Sequence, residues 1–432
     1  MKKVAVVGLG YVGLPTLVAI AKSQKYQTVG FDISQEKIDL IKKGHDPISD
    51  PDVTEYLKFN KLKVSTDPNI LKNTDFFLIA VPTPVDDEYT PNYGPVKGAM
   101  RLVAKYLKKG AHVILESTVN PGTSEEIVLP ILEKNSQLKA GVDFNLAHCP
   151  ERINPGDKKW NIYNIPRNVG SIDPELNQEV ASFYRSFLPK ALINEVSSLK
   201  VAEATKIVEN TFRDINIAYV NELAQSFDAM GIDLYETLQG ASNKPFGFLV
   251  HWPGCGVGGH CIAVDPYYLI KRASLSGFDH RFLKLAREIN NFMPEYTVRR
   301  LMDALNDLGS PLKDTPVTLL GLSYKANVAD LRESPSLEIG WHLLEKEANL
   351  TVFDPLVKDK PSELKKAKQA KNLKEALAQA KAVILTTAHD EFIKNLPKLL
   401  KNSNVKVVVD GRNCLDKKAI SQLGIIYKGI GH

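Results

Sequence analysis

Short apolar runs alternate with amphipathic stretches through the first half of the chain. The runs are rich in β-branched residues and end near Gly, Pro, Thr or Asp, whereas the stretches between several of them have helical periodicity. This alternation is typical of βαβ units built around a parallel sheet. The runs that we predict as strands are KVAVVGLG, YQTVGFD, DFFLIAVPT, AHVILEST and FNLAHCPE.

The pattern changes to that of one long helix over residues 198–230. Val208, Phe212, Ile215 and Tyr219 recur at spacings of four, three and four residues, which is the signature of an amphipathic helix. Amphipathic character along so long a helix indicates that it also packs against a partner.

The last third of the chain returns to alternating strands and helices. Its predicted strands are VTLLGLSY, NLTVFDP, AVILTTAH and VKVVVDG. We therefore predict an α/β fold with two Rossmann-like doubly wound domains joined by a long central helix. The predicted boundaries are 1–195 for a dinucleotide-binding domain, 196–300 for the central helical part and 301–432 for the second α/β domain.

Composition excludes several classes of protein. With 432 residues, 44% hydrophobic and 24% charged, the chain can bury more than one core, and its net charge of +5 is small. The basic stretch SELKKAKQAKNLKEALAQAKA carries acids at helical spacing, so we interpret it as a solvated helix face, not a nucleic-acid site.

Targeting signals are also missing from the pattern. A glycine-rich turn interrupts the apolar run after the N-terminal lysines, and no apolar stretch reaches the roughly 18 residues of a membrane span. The four cysteines are too scattered for a disulfide framework. We therefore expect a reduced, cytoplasmic protein that binds neither membrane nor nucleic acid.

The segment Gly8–Gly13 reads GLGYVG, a GxGxxG that follows one predicted strand and opens a helix. Its glycines let the backbone approach a pyrophosphate at the positive end of the helix. Asp32 ends the next strand, where it can accept hydrogen bonds from ribose hydroxyls and repel a 2′-phosphate. The following ISQE contains no Arg or Lys, so NAD is predicted over NADP. The predicted cofactor residues are Gly8, Gly10, Tyr11, Val12, Gly13, Asp32, Pro82, Thr83 and Thr118.

The stretch PGCGVGGHCIAVDPYY contains the most reactive candidate, Cys261. A metal site is disfavoured, because no second ligand pair lies near His260 and Cys261. A nucleophile requires titratable neighbours, which His260 and Asp265 provide, while burial as a small apolar residue fits poorly with so many glycines. The residues alone favour the nucleophile and leave burial open.

Seven segments in order resemble the UDP-glucose/GDP-mannose dehydrogenase family, over essentially the whole chain. They are VVGLGYVGLP, AVPTP, ESTVNPGT, CPERINPG, KIVENTFRDINIAYVNELA, GVGGHCIAVDPYYL and GLSYKANVADLRESPSLEI. The form GVGGHC resembles the UDP-N-acetylhexosamine branch. CPERINPG and NKPFGF are similar to the UDP-N-acetylglucosamine enzymes, and FRDINIAYVNEL and HCIAVDP to the UDP-N-acetylmannosamine enzymes.

The resemblance implies NAD-dependent, four-electron oxidation of a sugar C6 hydroxyl to a carboxylate. Cys261 would carry the thiohemiacetal and the thioester, and Lys206 with Asn210 would stabilise the oxyanion. Thr118 would hold a catalytic water, Asp265 would receive the alcohol proton through it, and Glu151 would direct water onto the thioester.

The resemblance also implies that the second α/β domain binds the uridine diphosphate. The substrate-binding residues so implied are Glu151, Lys206, Asn210, Phe246, Phe248, Gly258, Lys325 and Arg332. Arg332 could instead pair with Asp330 or Glu333. No metal is implied, and a homodimer built on the central helix is implied, although a monomer fits the sequence as well.

Two positions depart from the family pattern. Cys255 and Ala263 stand where proline is usual in many members, which implies a more flexible loop. Cys255 is also a second thiol near Cys261, so we hypothesise oxidative pairing of the two. The alternative functions are a UDP-glucose 6-dehydrogenase, a two-electron hydroxyacid-type dehydrogenase and a non-catalytic nucleotide-sugar sensor.

Overall fold

The computed structural model describes residues 1–86, 89–153, 159–259 and 261–432. His260 and the end of the CPERINPG segment lie outside the described residues. The chain forms two compact units, Met1–Glu209 with Tyr267–Gly277 and Asn210–Pro266 with Phe278–His432. The division into 1–195, 196–300 and 301–432 stays a prediction.

Unit 1 contains an eight-stranded sheet. Its strands are β1 Lys3–Val7, β2 Gln27–Phe31, β3 Val64–Ser65, β4 Phe76–Ile79, β5 Ala111–Leu115, β6 Phe144–His148, β7 Arg167–Ser171 and β8 Ile193–Glu195. The order is β3-β2-β1-β4-β5-β6-β7-β8, and only the β6–β7 pair is antiparallel among the described pairs.

The five strands predicted for this half are confirmed as β1, β2, β4, β5 and β6. The other three have weak sequence signals, because β3 and β8 are very short and β7 is the polar stretch RNVGS. Strand β7 is nevertheless buried along its whole length.

Helices cover both faces of this sheet. Alternate residues of β1 enter different hydrophobic clusters: Val4 and Val6 join one, Ala5 and Val7 the other. Several helices begin at side-chain caps, such as Ser34 and Asp173. The helices are α1 Gly13–Ser23, α2 Gln35–Lys42, α3 Pro51–Phe59, α4 Gly94–Ala104, α5 Leu129–Ser136 and α6 Pro174–Phe187, with a π-helical segment at Ser124–Val128.

The predicted long helix is confirmed as α7, Leu199–Met230. Its faces are arranged opposite to those of an ordinary amphipathic helix. Val208, Phe212 and Tyr219 are 58%, 47% and 53% exposed, so the apolar stripe lies outside. The buried side of α7 combines apolar residues such as Ala202, Ile207 and Val220 with an unusual number of polar ones, which are Glu203, Lys206, Asn210, Thr211, Asp214 and Asn221.

Unit 2 contains a six-stranded parallel sheet. Its strand order corresponds to the order β3-β2-β1-β4-β5-β6 in the sheet of unit 1. The helices of unit 2 before the sheet are α8 Leu234–Ser242 and α10 Arg281–Asn306, while α9 Asp265–Leu275 begins at the end of one segment of unit 2 and belongs to unit 1 from Tyr267 onward. The strands of unit 2 are β9 Pro316–Leu320, β10 Asn349–Phe353, β11 Lys368–Gln369, β12 Ala382–Leu385, β13 Val407–Asp410 and β14 Ile426–Gly429, and its further helices are α11 Pro335–Glu345, α12 Leu373–Leu377, α13 Asp390–Leu400 and α14 Lys417–Ser421. The order is β11-β10-β9-β12-β13-β14. The predicted second α/β fold is thereby confirmed.

Across the described ranges, no helix combines the length and the apolarity that crossing a membrane requires.

We predict that alanine at Gly13 destabilises the protein and that alanine at Gly10 does not. A Cβ at Gly13 would lie 1.8 Å from the Gly8 carbonyl oxygen, whereas a Cβ at Gly10 would meet no atom within 4 Å. The overpacked Gly13→Ala should lose about 1–3 kcal/mol of unfolding free energy in urea titration. Gly10→Ala should stay within about 0.5 kcal/mol of the parent. Equal unfolding midpoints for the two variants would contradict this.

Candidate active site

The turn between β1 and α1 is shaped by its glycines and by Asp32. Gly8 has a φ of +92°, and its N–H donates to the carbonyl of Phe31. The N–H of Leu9 donates to Asp32 Oδ2 at 2.8 Å. Because nothing fills the space beside Gly10, the backbone there is open to a ligand at the start of α1.

Asp32 is buried at the end of β2 and is held ionised. Although burial opposes ionisation, bonds from two backbone N–H groups and from Lys37 hold the pKa of Asp32 below its ordinary value. Lys37 Nζ lies 3.0 Å from Asp32 Oδ2. Lys37 is the residue directly after ISQE, and the Asp32 carboxylate compensates its positive charge.

These residues fit a dinucleotide. The open backbone at Gly10 and the start of α1 suit a pyrophosphate, and an ionised carboxylate at Asp32 suits ribose hydroxyls. Tyr11 is exposed and Val12 is partly buried at the same turn.

The ends of β4 and β5 are joined through two of the predicted threonines. Thr83 Oγ1 donates to the carbonyl of Thr118 at 2.9 Å, and the Thr83 carbonyl accepts the Tyr268 hydroxyl at 2.8 Å. Pro82 precedes this junction and is partly buried. The structure therefore brings Thr83 and Thr118 together, as the sheet-edge argument predicted.

The loop after Thr118 is anchored by a residue that sequence reasoning missed. Glu203, on the buried side of α7, accepts the N–H groups of Gly122 at 2.5 Å and Ser124 at 2.8 Å. Burial raises the pKa of the Glu203 carboxyl to about 7. A buried Glu one turn before Lys206 was the available signal.

Lys206 is buried on α7, and among the described residues no carboxylate pairs with its ammonium group. A buried lysine ordinarily needs a counter-charge, because desolvation disfavours the charged form. An anionic ligand would supply that charge.

Asn210, Asp265 and Cys261 come together in unit 2. Asn210 Nδ2 donates to Asp265 Oδ2 at 2.5 Å within a buried environment. The carbonyl of Cys261 accepts the N–H of Asp265 at 2.8 Å, so Cys261 lies at the turn that leads into α9. Cys261 is exposed, which excludes the buried alternative that the sequence left open. The positive end of a helix suits a thiolate.

Unit 2 itself occupies the space beside the glycines of the cysteine loop. A Cβ at Gly258 would meet the carbonyl oxygen of Glu333 at 2.6 Å and Tyr324 Cβ at 2.7 Å. Gly259 faces the Tyr324 ring in the same way, with a φ of +85°. Close packing against the β9 loop therefore accounts for these glycines, and the implied substrate-binding role of Gly258 is not needed to explain its lack of a side chain.

The oxidative pairing of Cys255 with Cys261 is not supported. Cys255 is fully buried in the hydrophobic cluster that includes Val298 and Leu301, and burial raises the pKa of its thiol. Ala263 is buried as well. A disulfide would require Cys255 to leave this core for the exposed Cys261.

The loop after β9 carries Lys325 and Arg332. Asp354 holds its start by accepting the N–H groups of Leu322 and Ser323, and it also pairs with His389 at 3.1 Å. Lys325 is partly buried.

Arg332 forms one of the two ion pairs left open by the sequence. It binds Asp330, with Nη2 at 2.6 Å, and its carbonyl accepts the Gly259 N–H at 3.1 Å. The pKa of Arg332 is raised, mainly by hydrogen bonding to Asp330 and in smaller part by the charge of Cys261. A cation therefore lies within electrostatic range of the thiol.

The two predicted phenylalanines differ. Phe246 is exposed beside Lys244, whose Nζ lies 4.8 Å from the ring centroid. Phe248 is partly buried and packs against the cluster that includes Val220 and Leu234.

Glu151 is part of a buried charge network that the sequence did not reveal. Its Oε1 accepts the N–H groups of Arg152 and Ile153, and its Oε2 lies 2.6 Å from Arg167 Nη2. Arg152 pairs with Glu209 and is therefore not free to act in the site. The available sequence signal for Arg167 was a single arginine at the start of the polar stretch RNVGS.

Three family models match the chain in order. They are the NAD binding domain, the central domain and the UDP binding domain of the UDP-glucose/GDP-mannose dehydrogenase family, at residues 2–188, 200–292 and 318–417.

Curated proteins and solved structures agree with these models. The chain is 41% identical over 355 residues to a UDP-N-acetyl-D-glucosamine 6-dehydrogenase of Pseudomonas aeruginosa, covering 82% of this chain and 83% of that one. It is 35% identical over 435 residues to a UDP-N-acetyl-D-mannosamine dehydrogenase of Pyrococcus horikoshii, covering 99% of each. A solved structure of a UDP-D-ManNAc dehydrogenase from Pyrococcus horikoshii superposes with a TM-score of 0.90 at 34% identity, covering 100% of this chain and 99% of that one.

The cofactor turn, the two sheets and the matched domains lead to one conclusion: this chain belongs to the UDP-glucose/GDP-mannose dehydrogenase family and is an oxidoreductase that uses NAD.

Proposed function

We propose that this protein oxidises the C6 hydroxyl of a UDP-N-acetylhexosamine to the uronic acid, in two NAD-dependent steps. UDP-GlcNAc is the favoured substrate and UDP-ManNAc the second. One observation carries the proposal: the turn into α9 joins an exposed Cys261 to Asp265, which is bonded to Asn210. The names of the relatives from Pseudomonas aeruginosa and Pyrococcus horikoshii support the substrate class.

The covalent chemistry belongs to Cys261. NAD, when bound, accepts the hydride that leaves C6 in each oxidation. After the first oxidation, the thiolate of Cys261 adds to the aldehyde carbon and gives a thiohemiacetal, which prevents escape of the aldehyde. Loss of the second hydride leaves a thioester on the same sulfur. Four electrons leave the sugar in all.

Charge developing on the sugar oxygen is met by Lys206 and Asn210. The buried ammonium group has no carboxylate partner among the described residues, so its charge is available to an oxyanion. The alcohol proton passes to Asp265 through a water held by Thr118. The bond from Asn210 keeps the Asp265 carboxylate oriented for this transfer.

Thioester hydrolysis requires a water directed onto C6, which is the role proposed for Glu151. The three hydrogen bonds to its carboxylate hold it in one orientation. Lys325 and Arg332 of the β9 loop bind the diphosphate. Phe246 and Phe248 contact the remainder of the nucleotide sugar, whereas the space beside Gly258 is filled by Glu333 and Tyr324.

The quaternary structure proposed is a homodimer built on α7. The exposed stripe of Val208, Phe212 and Tyr219 is apolar along several turns, and such a patch is typical of an association surface.

The first prediction from the proposed function concerns the stoichiometry of NADH release and the identity of the substrate. The protein should release two NADH per UDP-GlcNAc or UDP-ManNAc consumed, and Cys261→Ala should reduce two-NADH turnover by more than about a thousandfold, since it removes the nucleophile. Absorbance of NADH and chromatography of the uronate measure both quantities.

Three other outcomes would each favour one of the alternative functions. Turnover of UDP-glucose alone among the three UDP sugars would favour the UDP-glucose 6-dehydrogenase. One NADH per substrate, unaffected by Cys261→Ala, would favour the two-electron dehydrogenase. Binding without turnover would favour the nucleotide-sugar sensor.

The second prediction concerns the packing of the cysteine loop. Gly258→Ala should lower kcat at least about tenfold, because its Cβ would push against the backbone of Glu333 and displace the loop that carries Cys261. Gly254→Ala is the matched control, since its nearest neighbour is the flexible end of Arg412 at 3.0 Å. Equal kcat values for both variants would contradict the packing argument.

The third prediction concerns the dimer. Phe212→Glu should shift the sedimentation coefficient of the protein to that of a monomer, because a buried charge at an apolar interface is costly. Val142→Glu, at an exposed apolar residue outside α7, is the control and should leave the sedimentation unchanged. A Phe212→Glu protein that sediments like the parent would exclude this interface.

A further inference from the structure

Arg167 is completely buried at the start of β7, between two carboxylates. Its Nη2 lies 2.6 Å from Glu151 Oε2, and its Nη1 lies 3.6 Å from Glu116 Oε1. Removing a guanidinium group from water costs several kcal/mol unless opposite charge compensates it. The guanidinium therefore requires at least one of these carboxylates to be ionised.

The carboxylates of Glu116 and Glu151 differ in the number of hydrogen bonds that they accept. Glu151 accepts hydrogen bonds from two backbone N–H groups besides the bond from Arg167. Glu116 accepts only the Tyr184 hydroxyl, at 2.6 Å, and its Oε2 has no hydrogen-bond partner among the described residues. If one proton is shared in this cluster, it resides on Glu116.

The remaining groups that face Glu116 do not titrate near neutral pH. Burial raises the pKa of Cys149 to about 12 and raises the pKa of Tyr184 well above its usual range. Burial also raises the pKa of Glu116 to about 7, against the opposing charge of Arg167. Of Glu116, Cys149 and Tyr184, only Glu116 has a pKa close to neutral pH.

We propose that Arg167 is a positioning residue for Glu151, and that the ionisation of Glu116 sets how readily Glu151 takes a proton from the attacking water. This inference rests on the proposed function, because it concerns hydrolysis of the Cys261 thioester. In that step the water oxygen bonds to C6, one water proton passes to Glu151, and the C6–S bond breaks with its electron pair on sulfur.

The net charge of Glu116, Glu151 and Arg167 decides the rate of thioester hydrolysis. With Glu116 ionised, proton uptake by Glu151 changes the net charge of Glu116, Glu151 and Arg167 from −1 to 0. With Glu116 protonated, the same uptake changes it from 0 to +1. A buried excess charge is unfavourable, so protonation of Glu151 is easier when Glu116 is ionised. Hydrolysis should therefore accelerate as the pH rises through the titration of Glu116.

The test follows thioester hydrolysis in single turnovers between pH 6 and pH 8. Enzyme is mixed with NAD and with whichever of UDP-GlcNAc and UDP-ManNAc turns over faster, and acid-quenched samples are analysed for the acyl-enzyme by intact-protein mass spectrometry. A group with a pKa of about 7 becomes about tenfold more ionised over this range, so the parent should hydrolyse up to about tenfold faster at pH 8. Glu116→Gln should hydrolyse the thioester at both pH values as slowly as the parent does at pH 6.

Matched variants separate this role from a structural one. Glu209→Gln makes the same substitution at the partly buried partner of Arg152 and should keep the parent profile. Arg167→Lys should accumulate acyl-enzyme with unchanged NAD affinity, because one ammonium group cannot serve both carboxylates. Arg185→Lys, which makes the same substitution in the exposed ion pair with Glu195, should not accumulate acyl-enzyme.

A second variant covers the case in which Glu116→Gln fails to fold. Tyr184→Phe removes the hydroxyl bond that favours ionised Glu116, so its pH profile should move to higher pH. A Glu116→Gln or Tyr184→Phe profile identical to that of the parent would overturn the inference. Absence of any acyl-enzyme in the parent would instead contradict the proposed function.

Discussion

The buried polar face of α7 is the constraint on which the candidate site depends. A long helix normally turns its apolar side inward, yet here Glu203, Lys206, Asn210 and Asp214 are buried and the apolar stripe is exposed. Each inward polar group needs a partner, because unpaired burial costs free energy. Glu203 finds the backbone after Thr118, and Asn210 finds Asp265.

Further along the same helix, polar partners continue to fix the fold. Asp214 pairs with Arg287 at 2.6 Å, and Asn221 accepts the N–H of Gly254 at 3.0 Å. The second bond ties α7 to the start of the cysteine loop. Lys206 pairs with no carboxylate among the described residues, and Thr211 Oγ1 and Asp214 Oδ2 are likewise buried without a hydrogen-bond partner there. A buried cation without a counter-charge is suited to an anionic ligand.

Glycine has two different uses in this chain. At Gly10 the absence of a side chain leaves open space, as a bound pyrophosphate requires. At Gly13 and Gly258 the same absence lets backbone and side chains of the protein itself pack closely. A motif of glycines therefore indicates close approach without indicating whether the neighbour is a ligand or another part of the fold.

The sequence by itself determined the elements with strong periodicity and the residues held by local geometry. Strands β1, β4 and β12 are apolar runs. Asp32 follows β2 and Cys261 precedes α9, at positions that a motif can specify, because turns and helix starts depend on neighbouring residues. Only the tertiary structure decided which face of α7 is buried, that Cys255 lies in a core and that Arg167 joins Glu116 to Glu151. Those facts depend on contacts between residues far apart in the chain, and burial and ionisation follow from such contacts, which a local pattern does not contain.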